Sequence, residues 1–309
     1  MKNIKNSKKI GFLKKLFIKI CRKLGFEIIA QNTFEIVTSG KKINEDISVI
    51  GEKSINLPLG IIKIKRKVKA LDIIIRTCSS VNMLTQTKNR IFEKDKIVYT
   101  AKTIKSLINS VKYDPQLEKI NVQFKVIDHN SSDENLEKIS SIFKNSKVKY
   151  DLHKLDLSKY EKNIEKINER GEEVSHNQMS NMANINQSLL ESKNSNDLVY
   201  FVEDDYIHSQ KSLGEMIYAY ERISSQIDND LFLCPTDYPY LYARIDDTKI
   251  ILGNKYHWRK IDQTLCSFFT SKKMVIKYWE NLSKMCKFEH QPFEKPLHVG
   301  LIGFKELIN

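Results

Sequence analysis

The chain has 309 residues, enough for one large core or one core with a small appendage, and its 41% hydrophobic and 29% charged residues are those of an ordinary soluble globular protein. Its net charge is +13, but residues 1–26 hold nine Lys or Arg and no acid, so this arm supplies most of the surplus and the body is not coated for nucleic acid. Cys21, Cys78, Cys234, Cys266 and Cys286 are scattered without a C-x-x-C pair, which excludes a zinc ribbon or disulfide framework and suits a reducing cytoplasm. No run of about 18 apolar residues exists to form a transmembrane helix.

Between residues 10 and 24, Ile10, Leu13, Leu16, Phe17, Ile20, Cys21 and Leu24 recur at helical spacing, with Lys15, Lys19 and Arg22 on the opposite side. Interrupting lysines distinguish this segment from a signal-peptide core. A basic amphipathic helix of this kind either packs on its own protein or lies on an anionic membrane surface, here the inner face of the cell membrane. Residues 36–60 are rich in Gly, Ser, Asn and charge and read as a connector, so residues 1–60 form an N-terminal extension and 61–309 the main domain.

Residues 61–69 alternate Ile or Val with Lys or Arg, the pattern of a basic-faced strand. Strands and helices then alternate, which predicts an α/β fold with a mostly parallel sheet flanked by helices. The predicted order is a strand at 71–76, a helix at 100–111, a strand at 121–127, a helix through Leu136, Ile139 and Phe143, and a strand at 148–155. The charged stretch 156–176 is expected to be exposed. A helix at 181–192, an apolar strand at 198–202 and a helix at 213–223 follow. Short strands at 231–234, 249–252 and 265–270 lead to a last helix at 272–282.

The apolar strand Leu198, Val199, Tyr200, Phe201 and Val202 ends in Glu203, Asp204 and Asp205. Three carboxylates at a strand end repel one another, and fold stability gives no reason for them. A hard divalent cation such as Mn²⁺ or Mg²⁺ makes the cluster favourable. The strand at 71–76 ends in Arg76 and Thr77, and the next ends in Asp128 with Ser131 three residues on. In a parallel sheet these ends share one edge, where ligands bind. An Asp to accept from a base N–H, an Arg, hydroxyls and a cation-binding cluster together match a nucleoside diphosphate.

This order resembles the GT-A glycosyltransferases, in particular family-2-like bacterial enzymes that use nucleotide sugars, over residues 70 to about 285. The triplet Glu203-Asp204-Asp205 corresponds to that family's DxD motif, and its E-D-D form is similar to that of some N-acetylglucosaminyltransferases. The resemblance implies a Rossmann-like GT-A fold for residues 61–309 and a nucleoside-diphosphate sugar donor, of UDP type. The acceptor would be a hydroxyl of a glycan or glycolipid in cell-surface polysaccharide assembly. It implies Asp205 and Asp204 at the metal, with Asp204 also facing the ribose, and Glu203 near the donor sugar. Arg76 and Thr77 would line the nucleotide pocket with Asp128 and Ser131, and Ser180 and Asn181 would contact the donor. For an inverting reaction a late carboxylate serves as general base, with Glu289, Glu294 and Asp262 as candidates. His298 is a candidate further metal ligand.

Each feature has a structural alternative. An acidic turn is often only solvated, Asp128 to Ser131 reads equally as a helix cap, and Arg76 as an ion-pair partner. Tyr238, Tyr240, Tyr242, His257 and Trp258 either stack on sugars or fill core. A metal-dependent nuclease or phosphoesterase also gathers carboxylates, but wants a basic body that is missing here. A non-catalytic membrane-surface protein with a degenerate transferase fold would keep the N-terminal helix and lose turnover. A methyltransferase is disfavoured because no Gly-rich turn follows the first strand.

Overall fold

The computed structural model describes residues 12–26, 63–80, 94–236, 250–259, 267–289 and 307–308. Its first element is α1 (Phe12–Lys23), on the expected amphipathic segment. Ile73, Ile74 and Ile75 are β-branched and fully buried, and they centre β1 (Ala70–Thr77), a strand covered on both faces. The chain then runs α2 (Lys96–Tyr113), the single turn α3 (Pro115–Glu118), β2 (Asn121–Asp128), α4 (Asp133–Ser146) and β3 (Tyr150–Lys154). After two 3₁₀ turns come α5 (His176–Ser192), β4 (Leu198–Glu203), α6 (Ser212–Ile227) and β5 (Phe232–Leu233). The remaining elements are β6 (Ile250–Leu252), β7 (His257–Arg259), β8 (Phe268–Ser271), α7 (Lys272–Lys277), α8 (Trp279–Lys284) and β9 (Leu307–Ile308).

Seven strands make one sheet in the order β3-β2-β1-β4-β8-β5-β9, and β6 and β7 pair separately. The first four are parallel, joined by helical crossovers, while β8 runs antiparallel to both β4 and β5. Strand alternation divides the core into two layers. Leu71, Ile73 and Ile75 face Ile104 and Leu107 of α2, Ile139 and Phe143 of α4, and Leu213 and Tyr220 of α6. Ile74, Val199 and Phe201 face the other way, toward Ile185 and Leu189 of α5 and Met274 and Leu282 near the C-terminal helices. The α/β class with a mostly parallel, helix-flanked sheet is therefore what the chain adopts.

Four local expectations change. Residues 63–69 form no strand, because their backbone donors are taken by side chains. The N–H groups of Lys65 and Arg66 both donate to Ser225 Oγ (3.0 and 2.9 Å), Val68 N–H donates to Glu221 Oε1 (2.7 Å), and Lys69 N–H to Asp197 Oδ2 (2.8 Å). The charged stretch after β3 is not simply exposed: Leu157, Tyr160, Ile164 and Val174 bury a third small core with Met182 and Ala183 of α5. The last helix is interrupted at Tyr278, which leaves helical geometry and packs against Phe232. The strand expected over 231–234 shortens to the two residues of β5.

Arg66 clamps the N-terminal side of the sheet. Its guanidinium pairs with Asp197 ahead of β4 and with Asp230 ahead of β5 (Nε–Oδ1 2.9 Å), and it lies over the Tyr220 ring, 5.5 Å from its centroid. Tyr220 Oη donates to the same Asp230 oxygen at 2.7 Å. Removing the cation leaves two poorly hydrated carboxylates without their partner. Arg66→Ala is expected to cost about 2–3 kcal/mol, less than for breaking a fully buried pair because the guanidinium is partly solvated. Urea denaturation followed by circular dichroism measures it, and an unchanged midpoint would remove the clamp from the account.

Candidate functional site

Register brings three strand ends together. Thr77 lies opposite Asp128 and Arg76 opposite Glu203, so the residues expected to share a cleft are neighbours along the C-terminal edge. The edge between β1 and β4 is also a topological switch point: β2 and β3 extend the sheet one way from β1, β4 the other. Loops leaving a sheet at such a point diverge and open a crevice.

Asp128 anchors one wall. Its buried carboxylate Oδ1 accepts the hydroxyls of Thr77 (2.6 Å) and Ser131 (2.5 Å), and Oδ2 accepts Ser131 N–H at 3.2 Å. Ser131 Oγ accepts in turn from the backbone N–H (2.8 Å) and hydroxyl (2.7 Å) of Ser79. Ser132 N–H donates to Ser80 Oγ at 2.7 Å, while Ser132 Oγ caps α4. These serines tie the loop after β1 to the loop after β2. Between them Asn130 turns the chain in the left-handed region (φ 65°), which Asn tolerates better than most residues.

Arg76 anchors the other wall. Almost fully buried, it donates to Glu203 Oε1 (2.8 Å) and to Asn181 Oδ1 on α5 (2.9 Å). Asp204 is equally enclosed: Oδ2 accepts Thr100 Oγ1–H at 2.8 Å and Cys78 N–H at 3.4 Å, and Oδ1 pairs with Lys96 Nζ at 3.2 Å. Burial pushes the Cys78 thiol up to about 11, with Asp204 and Asp128 adding to the shift and Lys96 opposing it. A thiol held protonated in this way is no nucleophile at neutral pH.

Asp205 differs from its two neighbours. It reaches the surface and makes no hydrogen bond or ion pair with any described residue. The protein around it strips water from the carboxylate, and Glu203 and Asp204 repel its charge, so its pKa rises from 3.8 to about 6 despite Lys96 and Arg76. Among the described residues, no group of three or more His, Cys, Asp or Glu side chains is placed to hold a metal ion unaided.

The start of α5 closes the site. A reciprocal Ser175–Gln178 capping box fixes it, and Ser180 Oγ shares a hydrogen bond with His129 Nδ1. The rings of His129 and His176 lie 5.8 Å apart. Burial and then His176 hold the His129 pKa below its usual value against the pull of Asp128, so the ring is neutral at pH 7. Glu289 is buried behind this helix start, where its two oxygens accept N–H from Gln178 and from Asn168.

Of the residues expected at the site, Arg76, Thr77, Asp128, Ser131, Ser180, Asn181, Glu203, Asp204 and Asp205 lie along this edge, and Glu289 joins it through Gln178. Asp262, Glu294 and His298 lie outside the described residues, as do Tyr238, Tyr240 and Tyr242. Trp258 is buried with its indole N–H toward Glu215 (3.4 Å), a core role. Lys96, Thr100, Ser79 and His129 are site residues that sequence reasoning passed over. Lys96 and Thr100 stand one helical turn apart on one face of α2, a spacing visible once the helix is started early enough.

No family model and no curated protein matches the chain. Solved structures similar to it at low identity include two of one protein. One is S. aureus TarS 1-349, 11% identical over 68% of this chain and 49% of that one, with a TM-score of 0.37. The other is S. aureus TarS, 15% identical over 54% of this chain and 21% of that one, with a TM-score of 0.31. The chain spans about half the length of the first and about a fifth of the second. The chemistry of the site is therefore read from its own residues.

Because the folded-state pKa of Asp205 lies above its unfolded value, its ionised form costs stability above about pH 6, and the cost fades as pH falls toward 4. Asp205→Asn is expected to raise Tm by about 2–4 °C at pH 7.5, for about 1 kcal/mol after allowing for solvent screening at a surface group. At pH 4 the variant and the parent should melt together. Scanning calorimetry at the two pH values checks the sign.

Proposed function

We propose that the edge formed by β1, β2 and β4 binds a nucleoside-diphosphate sugar together with Mn²⁺ or Mg²⁺, and that the protein is a GT-A-type glycosyltransferase. The observation that supports this most is Asp205, a carboxylate with a raised pKa beside the switch point that pairs with no described residue. The donor set fits such a cation: Mg²⁺ and its like are commonly held by one or two carboxylates plus substrate phosphates and water, without a protein cage. Asp205 would hold the ion, with Asp204 close behind it, and the ion would neutralise charge on the departing diphosphate.

The chain's own residues do the rest. Arg76, fixed between Glu203 and Asn181, sets the positive wall next to the acidic end of β4. Lys96 shields Asp204 and keeps a second positive charge beside the same carboxylates. Asp128, held by Thr77 and Ser131, presents its remaining acceptor capacity at the end of β2, where the N–H edge of a uracil-like base would dock. Ser180 and Asn181 present the start of α5 to the donor. The acceptor is a glycan or glycolipid hydroxyl. If the reaction inverts, that hydroxyl must lose its proton to a carboxylate. Glu289 is engaged by Gln178 and Asn168 and serves to position α5, so we assign the base to Asp262 or Glu294, and a further metal contact to His298.

Titration calorimetry with UDP and GDP, each with and without Mn²⁺, tests the reading. UDP is expected to bind only with the cation, and Asp205→Ala to weaken binding by at least about 10-fold, the lower limit for losing even an outer contact of a metal site. Asp262→Asn or Glu294→Gln should leave that affinity in place while abolishing sugar transfer. Absence of binding by either nucleotide, or full affinity in Asp205→Ala, overturns the proposal.

A further inference from the structure

α1 leaves its apolar face exposed. At 3.6 residues per turn, Phe12, Leu13, Leu16, Phe17, Ile20 and Leu24 occupy an arc of about 140° on the helix and its following turn. All six are between 46% and 79% exposed, and Phe26 beyond them is 68% exposed. Ile18, on the opposite side of the helix, is 5% exposed. An amphipathic helix that belonged to the core would turn its apolar stripe inward, as α2 and α6 do. Here the stripe is presented outward, an apolar patch that a free soluble surface does not sustain without a partner.

The charge around the stripe identifies that partner. Lys19 and Lys23 are exposed along one margin of it, one helical turn apart, with Arg22 beside them. Residues 1–26 contain nine Lys or Arg and no Asp or Glu. A second copy of the same helix would set like charges against each other. An acidic protein groove would satisfy the charge, but the stripe is a broad convex arc, not a narrow row of anchor side chains. Anionic lipid satisfies both features at once: acyl chains take the apolar arc, while phosphates meet lysines whose stems lie along its margin. No helix among the described residues is long and apolar enough to cross a membrane, so the contact is parallel to the surface.

We infer that α1 is a membrane-docking helix that seats the protein on an anionic bilayer, with Phe12, Leu13, Leu16, Phe17, Ile20 and Leu24 entering the interface and Lys19 and Lys23 at the phosphates. The inference stands apart from the chemistry proposed at the sheet edge.

Co-sedimentation of the full chain with vesicles of phosphatidylcholine, alone or mixed with phosphatidylglycerol, tests it. Binding is expected to the mixed vesicles, to fall with added salt, and to be at least about tenfold weaker on neutral ones. Leu16→Glu with Phe17→Glu should abolish it, and Lys19→Glu with Lys23→Glu should remove the preference for anionic lipid. These side chains are exposed, so thermal unfolding and nucleotide titration should be unchanged, which separates a failed docking surface from a failed active site. No binding to mixed vesicles, equal binding to neutral ones, or binding that survives the Leu16/Phe17 pair overturns the inference. A lipid-free dimer lost in that same double variant also overturns it, by assigning the stripe to a second copy.

Discussion

A guanidinium at the end of a strand that is buried along its whole length has to be satisfied on the spot, and meeting the needs of Arg76 arranges the site around it. Water reaches the side chain poorly, so an unpaired charge there would cost several kcal/mol. Glu203 supplies the counter-charge from the adjacent strand at the position register dictates, and Asn181 adds a neutral acceptor from α5. One side chain thus links β1, β4 and the helix that leads into β4. Its pairing fixes how β4 ends, and so where the next two acids begin.

The three acids consequently have unequal duties. Glu203 is held by Arg76. Asp204 turns inward to Lys96, Thr100 and the Cys78 N–H, across to the start of α2. Neither is free to move far without unpairing a buried cation, so the acidic turn is rigid on two of its three residues. Asp205 alone projects outward. A rigid turn with one projecting carboxylate is a preorganised place for a charge to arrive, because little reorganisation accompanies its arrival.

The main frame was legible because it is written in local patterns. The isoleucines of β1, the apolar run of β4 and the helical spacing of Ile104, Leu107 and Ile108 each allow one reading, and parallel order follows from their alternation. Features set by distant partners were not legible. Residues 61–69 alternate like a strand, yet Ser225, Glu221 and Asp197 take their donors, and all three lie far along the chain. Lys96 was passed over because Asp95 makes no side-chain cap to α2, which removes the usual mark of a helix start. The charges of 156–176 concealed Leu157, Tyr160, Ile164 and Val174, whose irregular spacing matches neither period. The outward stripe of α1 is a different case: its amphipathic pattern was plain, but only packing shows which face is buried.

The buried acids of this protein contrast with Asp205 at the surface. Asp72 sits mid-sheet with Lys125 Nζ at 2.9 Å and Ser195 Oγ at 2.7 Å. Asp230 has Arg66 and Tyr220, and Glu215 takes the N–H groups of Asn254 (2.8 Å) and Lys255 (3.0 Å). Each charge meets a cation or hydrogen-bond donors from within the fold, although Asp72 Oδ1 is buried without a hydrogen-bond partner. Asp205 is crowded by protein and by two like charges, and no described residue answers it. Asn at this position would fill the same space without the repulsion from Glu203 and Asp204. Under the function proposed above, a cation arriving after folding would answer that charge, beside Arg76 and Asp128 on the same sheet edge.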